Sequence, residues 1–202
     1  LGERMRTRHV VAGHDFHFGY RRFGTPVFLQ ERCREMGVEV TLVSPVTDSD
    51  GIVVSSTRIR QALATGDMLS AAQLLGRPWR VCGEVAAGKR IGRTLGFPTA
   101  NLALAAETGL AFGIYAVRVR LDDGTVHAGV ASYGRRPTFD KGAALLGSHL
   151  FDFSADLYGR MICVELVAWL RGEEKFENVE ALVEQMHRDA NAARALLSPV
   201  AQ

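Results

Sequence analysis

The run Gly96-Phe97-Pro98-Thr99-Ala100-Asn101-Leu102 holds the side chains best suited to chemistry in this 202-residue sequence. A glycine-bearing stretch precedes it, with Gly83, Gly88 and Gly92 and the cations Lys89, Arg90 and Arg93. Glycine lets backbone N–H groups wrap phosphate oxygens, and the cations neutralise their charge. Thr99 and Asn101 are two apart, so in an extended segment both point to one face. A hydroxyl and an amide oxygen aimed together are hard oxygen ligands suited to Mg²⁺. A phosphate loop beside a metal pair suggests phosphoryl transfer. Glycines and cations alone would equally describe a basic hairpin turn leading to a β-edge.

The elements that must position these residues fall into two stretches. Residues 8–13 and 38–43 read as short strands, and residues 26–36 have helical spacing between them. Ser55, Ser56 and Thr57 are N-cap candidates for a helix to residue 64, and Gly66-Asp67 restarts another over 68–75. Strand, helix, strand, helix predicts a parallel α/β sheet. Gly76-Arg77-Pro78 breaks this pattern, which sets the expected domains at 1–76 and 77–202. Beyond it, residues 79–85, 113–121, 125–132, 145–153 and 161–170 read as strands, with Asp123-Gly124 as a hairpin turn. Five or more short antiparallel strands predict a small barrel. Asn178 then caps an amphipathic helix with Leu182, Val183 and Met186 on one side.

The stretch 83–102 resembles the riboflavin kinase (flavokinase) signature, a glycine-rich loop leading into G-F-P-T-A-N. Three further blocks extend the resemblance over about residues 77–195. They are Gly134-Arg135-Arg136-Pro137-Thr138-Phe139, then His149 to Gly159 with Asp152 and Tyr158, then Leu170-Arg171-Gly172-Glu173-Glu174-Lys175-Phe176. The resemblance implies a small antiparallel Greek-key barrel with a C-terminal helix. It implies ATP phosphates at Gly83, Gly88, Lys89, Gly92, Arg93, Gly96, Phe97 and Pro98, and Mg²⁺ at Thr99 and Asn101. It implies riboflavin, or its product FMN, near Arg171, Glu173 and Phe176.

One position departs from the family pattern. The family has a glutamate two residues before the histidine of the second block, the proposed base for the ribityl 5′-hydroxyl. Here that position is Gly147, in Leu146-Gly147-Ser148-His149. His149 follows on the same strand face, about 6.6 Å along, and is the candidate to act through a water as a poor substitute base. A missing base slows transfer without abolishing it, because positioning and charge stabilisation dominate phosphoryl transfer. The expectation is therefore a slowed kinase, with a catalytically impaired flavin- and nucleotide-binding module as the alternative.

Residues 1–75 resemble the end of the adenylyltransferase module of bacterial bifunctional FAD synthetases, a Rossmann-like nucleotidyltransferase. The carrying residues are Gly13-His14-Asp15-Phe16-His17-Phe18-Gly19 and Ser55-Ser56-Thr57-Arg58-Ile59-Arg60. The resemblance implies a nucleotide site at Asp15, Phe16, Gly19, Ser55, Ser56, Thr57, Arg58 and Arg60. Hydroxyls and free N–H groups at a helix start, with arginines nearby, attract a triphosphate. The family's first strand and its His-x-Gly-His motif do not occur here. The chain begins Leu-Gly-Glu-Arg and reads as a piece of something longer, with an exposed sheet edge able to self-associate.

Composition bounds the rest. Hydrophobic content of 47% with 23% charged residues fits a globular protein. A formal charge of +2, with dispersed arginines, points to neither nucleic acid nor membrane as partner. Cys33, Cys82 and Cys163 lie far apart without metal spacing, which predicts buried thiols in a reducing cytoplasm.

Overall fold

The computed structural model describes residues 6–86, 91–104, 108–135 and 144–198. The chain divides into two compact units, Leu1–Val54 and Ser55–Gln202.

In the first unit, strand β1 (His9–Gly13) lies parallel to β2 (Glu39–Val43), in register from His9 opposite Glu39 to Gly13 opposite Val43. Helix α1 (Pro26–Glu35) connects them. Its start is encoded locally, since Pro26 stands at the first helical position and the Thr25 hydroxyl accepts from the Phe28 N–H. Leu29, Cys33 and Val38 form a small core with Val10, Ala12, Phe18 and Val40 against it. The expected parallel arrangement is present here as a two-stranded sheet.

The second unit opens with helices α2 (Ser56–Thr65) and α3 (Met68–Leu75). Each carries its own stop and start signals. The Ser55 hydroxyl accepts from the Arg58 N–H, and the Asp67 carboxylate accepts from the Ser70 N–H. Gly66 and Gly76 close the two helices at φ of 76° and 68°, a left-handed geometry that glycine adopts without penalty. Ala62, Leu63, Met68 and Ala71 are buried in the same core as the strands that follow. The packing therefore divides at Val54, upstream of the Gly76-Arg77-Pro78 break in the sequence, because these helices bury their apolar sides on the barrel.

Six strands make that barrel: β3 (Trp79–Glu84), β4 (Ala100–Leu104), β5 (Gly113–Leu121), β6 (Val126–Arg135), β7 (Ala144–Leu150) and β8 (Met161–Arg171). A four-residue helix, α4 (Ile91–Thr94), lies between β3 and β4. The strand order is β3-β8-β5-β6-β7-β4, and every pairing is antiparallel. The connection from β4 to β5 passes over two strands, a Greek-key step. Just past β3, the Ala86 N–H donates to the Asn101 carbonyl at 2.9 Å and nearly closes the ring.

Alternation sends Tyr115, Val117, Val119, Leu146, Leu150, Ile162, Val164 and Leu166 inward. On the outer face, helix α5 (Val179–Leu197) covers Ala116, Val130 and Phe151 with Ala190, Ala193 and Leu197. Asn178 caps it by accepting from the Ala181 N–H. No described helix is long and apolar enough to cross a membrane.

The cysteine expectation is corrected. Cys82 of β3 and Cys163 of β8 are register partners and form a disulfide. Both lie on the outer face of the barrel, Cys82 exposed and Cys163 half-buried. Cys33 is the free, buried cysteine among the described residues.

Candidate active site

Residues 92–101 form a tight turn leading into β4. The Phe97 N–H donates to the Gly92 carbonyl at 2.7 Å, and Gly96 takes a φ of 81°. A Cβ on Gly92 would overlap the Phe97 carbonyl oxygen, so this position accepts no side chain. The turn delivers Pro98, Thr99, Ala100 and Asn101 to the rim of a cleft that Arg93 also lines. The opposite wall is residues 153–158, where the Asp156 carboxylate accepts from the Tyr158 N–H. Phosphate-suited Arg93 and the paired oxygens of Thr99 and Asn101 thus share one cleft. Ala100 and Leu102 are buried in the barrel, which forces Asn101 between them to face outward.

A second hollow lies on the outer face under α5, and Thr99 belongs to both. Gly147, His149, Met186 and Asp189 line it with Phe97 and Ile114. Gly147 stands directly across from Asn101 in the β4–β7 register. His149 Nδ1 is 2.9 Å from the Pro98 carbonyl oxygen. Its ring meets Phe97 at 4.9 Å, and Phe97 meets His187 of α5 at 5.0 Å.

Arg171, Glu173 and Phe176 follow β8. The Arg171 guanidinium gives Nε and Nη2 to both oxygens of Asp189, at 2.9 and 2.7 Å, and Nη1 to the Gly172 carbonyl. Asp189 is buried and also accepts from Gln185. This pairing holds the Arg171 guanidinium above its ordinary pKa. Most of its donors are therefore engaged by protein, and its Cζ lies 5.8 Å from the centre of the Phe176 ring. Glu173 packs against Gly134, where a Cβ would overlap its carboxylate.

Of the remaining expected residues, one is placed differently. Gly83 lies within β3 opposite Ile162, so it is part of the sheet and not of the glycine-bearing loop. Gly88 and Lys89 lie outside the described residues, as does the block 136–140. Asp152 is past the end of β7 at φ 55°, and pairs with Arg194 through both carboxylate oxygens. That pairing holds its carboxyl below the usual range. Among the described residues, no cluster of three or more His, Cys, Asp or Glu could hold a metal ion.

The residues of the two N-terminal motifs fall in different units. In the first, Phe16 stacks on Phe18 at 5.5 Å, Gly19 has a φ of 76°, and exposed Asp15 offers its carbonyl to His17 Nδ1. In the second, Ser55 caps α2, and Ser56, Thr57, Arg58 and Arg60 occupy its first turns.

Asp189 and His187 are the parts of this surface that sequence reasoning missed, and the 153–158 wall, though within the block His149 to Gly159, was not placed at the cleft. Asp189 had a signal, because an acid three residues after Met186 and four before Ala193 sits in the apolar stripe of α5. That the wall faces the turn 92–101 had no local signal, since the two segments are far apart in the chain.

Comparison with known proteins matches this arrangement. Residues 75–197 match the family model described as riboflavin kinase, and residues 1–58 match the one described as FAD synthetase. A bifunctional riboflavin kinase/FMN adenylyltransferase of Pseudomonas fluorescens is 42% identical over 202 residues, all of this chain and 64% of that protein. The protein of the same description from Haemophilus influenzae is 39% identical over 98% of this chain and 64% of its own length. The chain thus spans under two thirds of these relatives. A crystal structure described as a macrolide-efflux protein from Streptococcus pneumoniae is 37% identical, with a TM-score of 0.73 over 94% of this chain and 61% of that one. With the match to the kinase model running from the end of α3 to the end of α5, this chain belongs to the riboflavin kinase family.

Proposed function

We propose that this chain phosphorylates the ribityl 5′-hydroxyl of riboflavin with ATP, giving FMN and ADP. The observation that carries this is the convergence of Arg93, Thr99 and Asn101 on one cleft. Arg93 takes phosphate oxygens there, and the absence of a side chain at Gly92 lets the turn 92–97 close tightly beside it.

Thr99 and Asn101 supply two neutral oxygens without a carboxylate, a set that holds Mg²⁺ only together with nucleotide phosphates. Held that way by Thr99 and Asn101, the ion would supply charge neutralisation for the transferring phosphoryl group. The 5′-oxygen forms the new bond to the γ-phosphorus as the bond to the β,γ-bridging oxygen breaks. The hydroxyl proton leaves to solvent, since Gly147 offers no base where the family has a carboxylate. Riboflavin lies along the outer-face hollow towards Phe176, with Arg171 acting mainly to hold α5 on the barrel. The test is ADP release coupled to chromatographic detection of FMN. Slow FMN formation supports the reading, and its complete absence in the presence of Mg·ATP sinks it.

Gly147 also favours a second reading, a flavin- and nucleotide-binding module without turnover. Flavin binding with no ADP formed would select it. For residues 1–76 we propose part of an FMN adenylyltransferase domain, Rossmann-like, with Asp15, Phe16, Gly19, Ser55, Ser56, Thr57, Arg58 and Arg60 contributing to its nucleotide site in the whole protein. Self-association through the β1–β2 sheet edge, and a cytoplasmic location, belong to the same proposal. Sedimentation across a concentration series tests the association.

A further inference from the structure

The bond made by His149 fixes which nitrogen of its ring carries hydrogen. The Pro98 carbonyl only accepts, so Nδ1 donates and the neutral ring keeps its lone pair on Nε2. That bond joins residues 51 apart in sequence. It ties the outer face of β7 to the peptide that immediately precedes Thr99.

Backbone bonds fasten both ends of the turn 92–101, the Leu95 N–H to the Gly92 carbonyl and the Gly96 N–H to the Arg93 carbonyl among them. The turn's start is also closed by the Phe97 N–H on the Gly92 carbonyl, and its end by the Ala86 N–H on the Asn101 carbonyl. Pro98 lies between them and has no N–H to give. Its carbonyl is therefore the point at which the middle of the turn is held, and His149 holds it. The imidazole is itself fixed by packing, against Phe97 on one side and against Phe151 at 5.9 Å on the other. A ring so placed can hold the direction of the peptide from Pro98 to Thr99, and with it the direction in which the Thr99 hydroxyl leaves the backbone.

We propose that His149 is a positioning residue. Its Nδ1–H orients Thr99 for the nucleotide-bound magnesium ion, and it does not stand in for the missing base at Gly147. This rests on the reading of Thr99 and Asn101 as magnesium ligands.

The test compares wild type with His149→Asn, His149→Gln and His149→Ala. An asparagine amide N–H₂ sits two bonds beyond Cβ, as Nδ1 does, whereas that of glutamine reaches the Nε2 position. Two readouts are used, and neither needs turnover. The first is the tautomer of the His149 ring by long-range ¹H–¹⁵N correlation, expected to show Nδ1 protonated. The second is calorimetric binding of ADP as a function of Mg²⁺. His149→Ala is expected to weaken magnesium-dependent ADP binding by about five- to tenfold, the effect of one neutral hydrogen bond. His149→Asn is expected to restore most of it, and His149→Gln to behave like His149→Ala.

An Nε2-protonated ring overturns the proposal. So does a His149→Ala protein that binds like wild type, or an asparagine variant no better than alanine. Wild-type protein whose ADP binding ignores Mg²⁺ would remove the metal reading beneath, and the proposal with it. That outcome is distinguishable, because failure of His149 alone leaves wild-type binding magnesium-dependent.

Discussion

Asn101 of β4 and Gly147 of β7 are direct register partners across an antiparallel ladder. Side chains at partnered positions stand about 5 Å apart on the same sheet face. Any side chain introduced at 147 therefore emerges beside the Asn101 amide, on the face shared with His149.

Gly147→Glu should accelerate FMN formation. A carboxylate there can take the hydroxyl proton, and general-base catalysis is worth about 10²- to 10⁴-fold. Single-turnover rates at saturating Mg·ATP would read the gain. An unchanged rate would show that the glycine is not what limits this chain.

Thr99→Ala and Asn101→Ala should each raise the magnesium concentration needed for half-maximal nucleotide binding by about tenfold, the loss of one strong oxygen contact. The fold should survive, because the closing bond from Ala86 goes to the backbone carbonyl of Asn101, which the substitution keeps. Titrating Mg²⁺ at fixed ADP checks this. Equal magnesium dependence in wild type and both variants would separate these oxygens from the metal.

Asp189→Ala should destabilise the second unit by about 3 kcal/mol, since it strands a mostly buried guanidinium. The Arg171 and Asp189 side chains are 18% and 8% exposed. Urea unfolding measures the loss. Wild-type stability, combined with weakened flavin binding, would instead make Arg171 a ligand contact first and a structural tie second.

Alkaline pH should weaken the barrel. Burial pushes the Tyr115 phenol well above its ordinary value, and burial also raises Tyr133. The folded state thus keeps protons that the unfolded chain sheds near pH 10. Stability from these groups is complete below that pH and is lost as pH rises through the folded values. Thermal midpoints between pH 8.5 and 11 should fall less steeply in Tyr115→Phe, and parallel curves would refute this. On the acid side the sign reverses. The Ser70 backbone N–H holds the Asp67 carboxyl below its usual range, so its support is lost as pH falls below about 4.

Much of the barrel was legible because its signals are local. Alternation set β5 and β8 within a residue of their bounds, and Asp123-Gly124 makes the β5–β6 turn with Asp123 accepting from the Thr125 N–H. That Thr99 and Asn101 line one cleft was legible for the same reason, the two being two residues apart at the start of β4. What sequence could not show depends on pairings between distant segments. Helices α2 and α3 read as the continuation of an α/β pattern, yet their apolar sides have the barrel core as partner. Arg171 reads from the sequence as a flavin contact, and its pairing with Asp189 was hidden because that acid lies on another element. The thiols of Cys82 and Cys163 looked unrelated because β3 pairs with the last strand of the barrel.

That last bond makes a covalent ring. Cys82 and Cys163 are 81 residues apart, and β4 through β7 lie wholly within the loop they close. Closing a loop of this size removes unfolded-chain entropy worth about 4–5 kcal/mol. A protease that cuts once anywhere between them frees no fragment. The two pieces stay tethered, migrate as one species until a reductant is added, and can find each other again after denaturation without a search through solution.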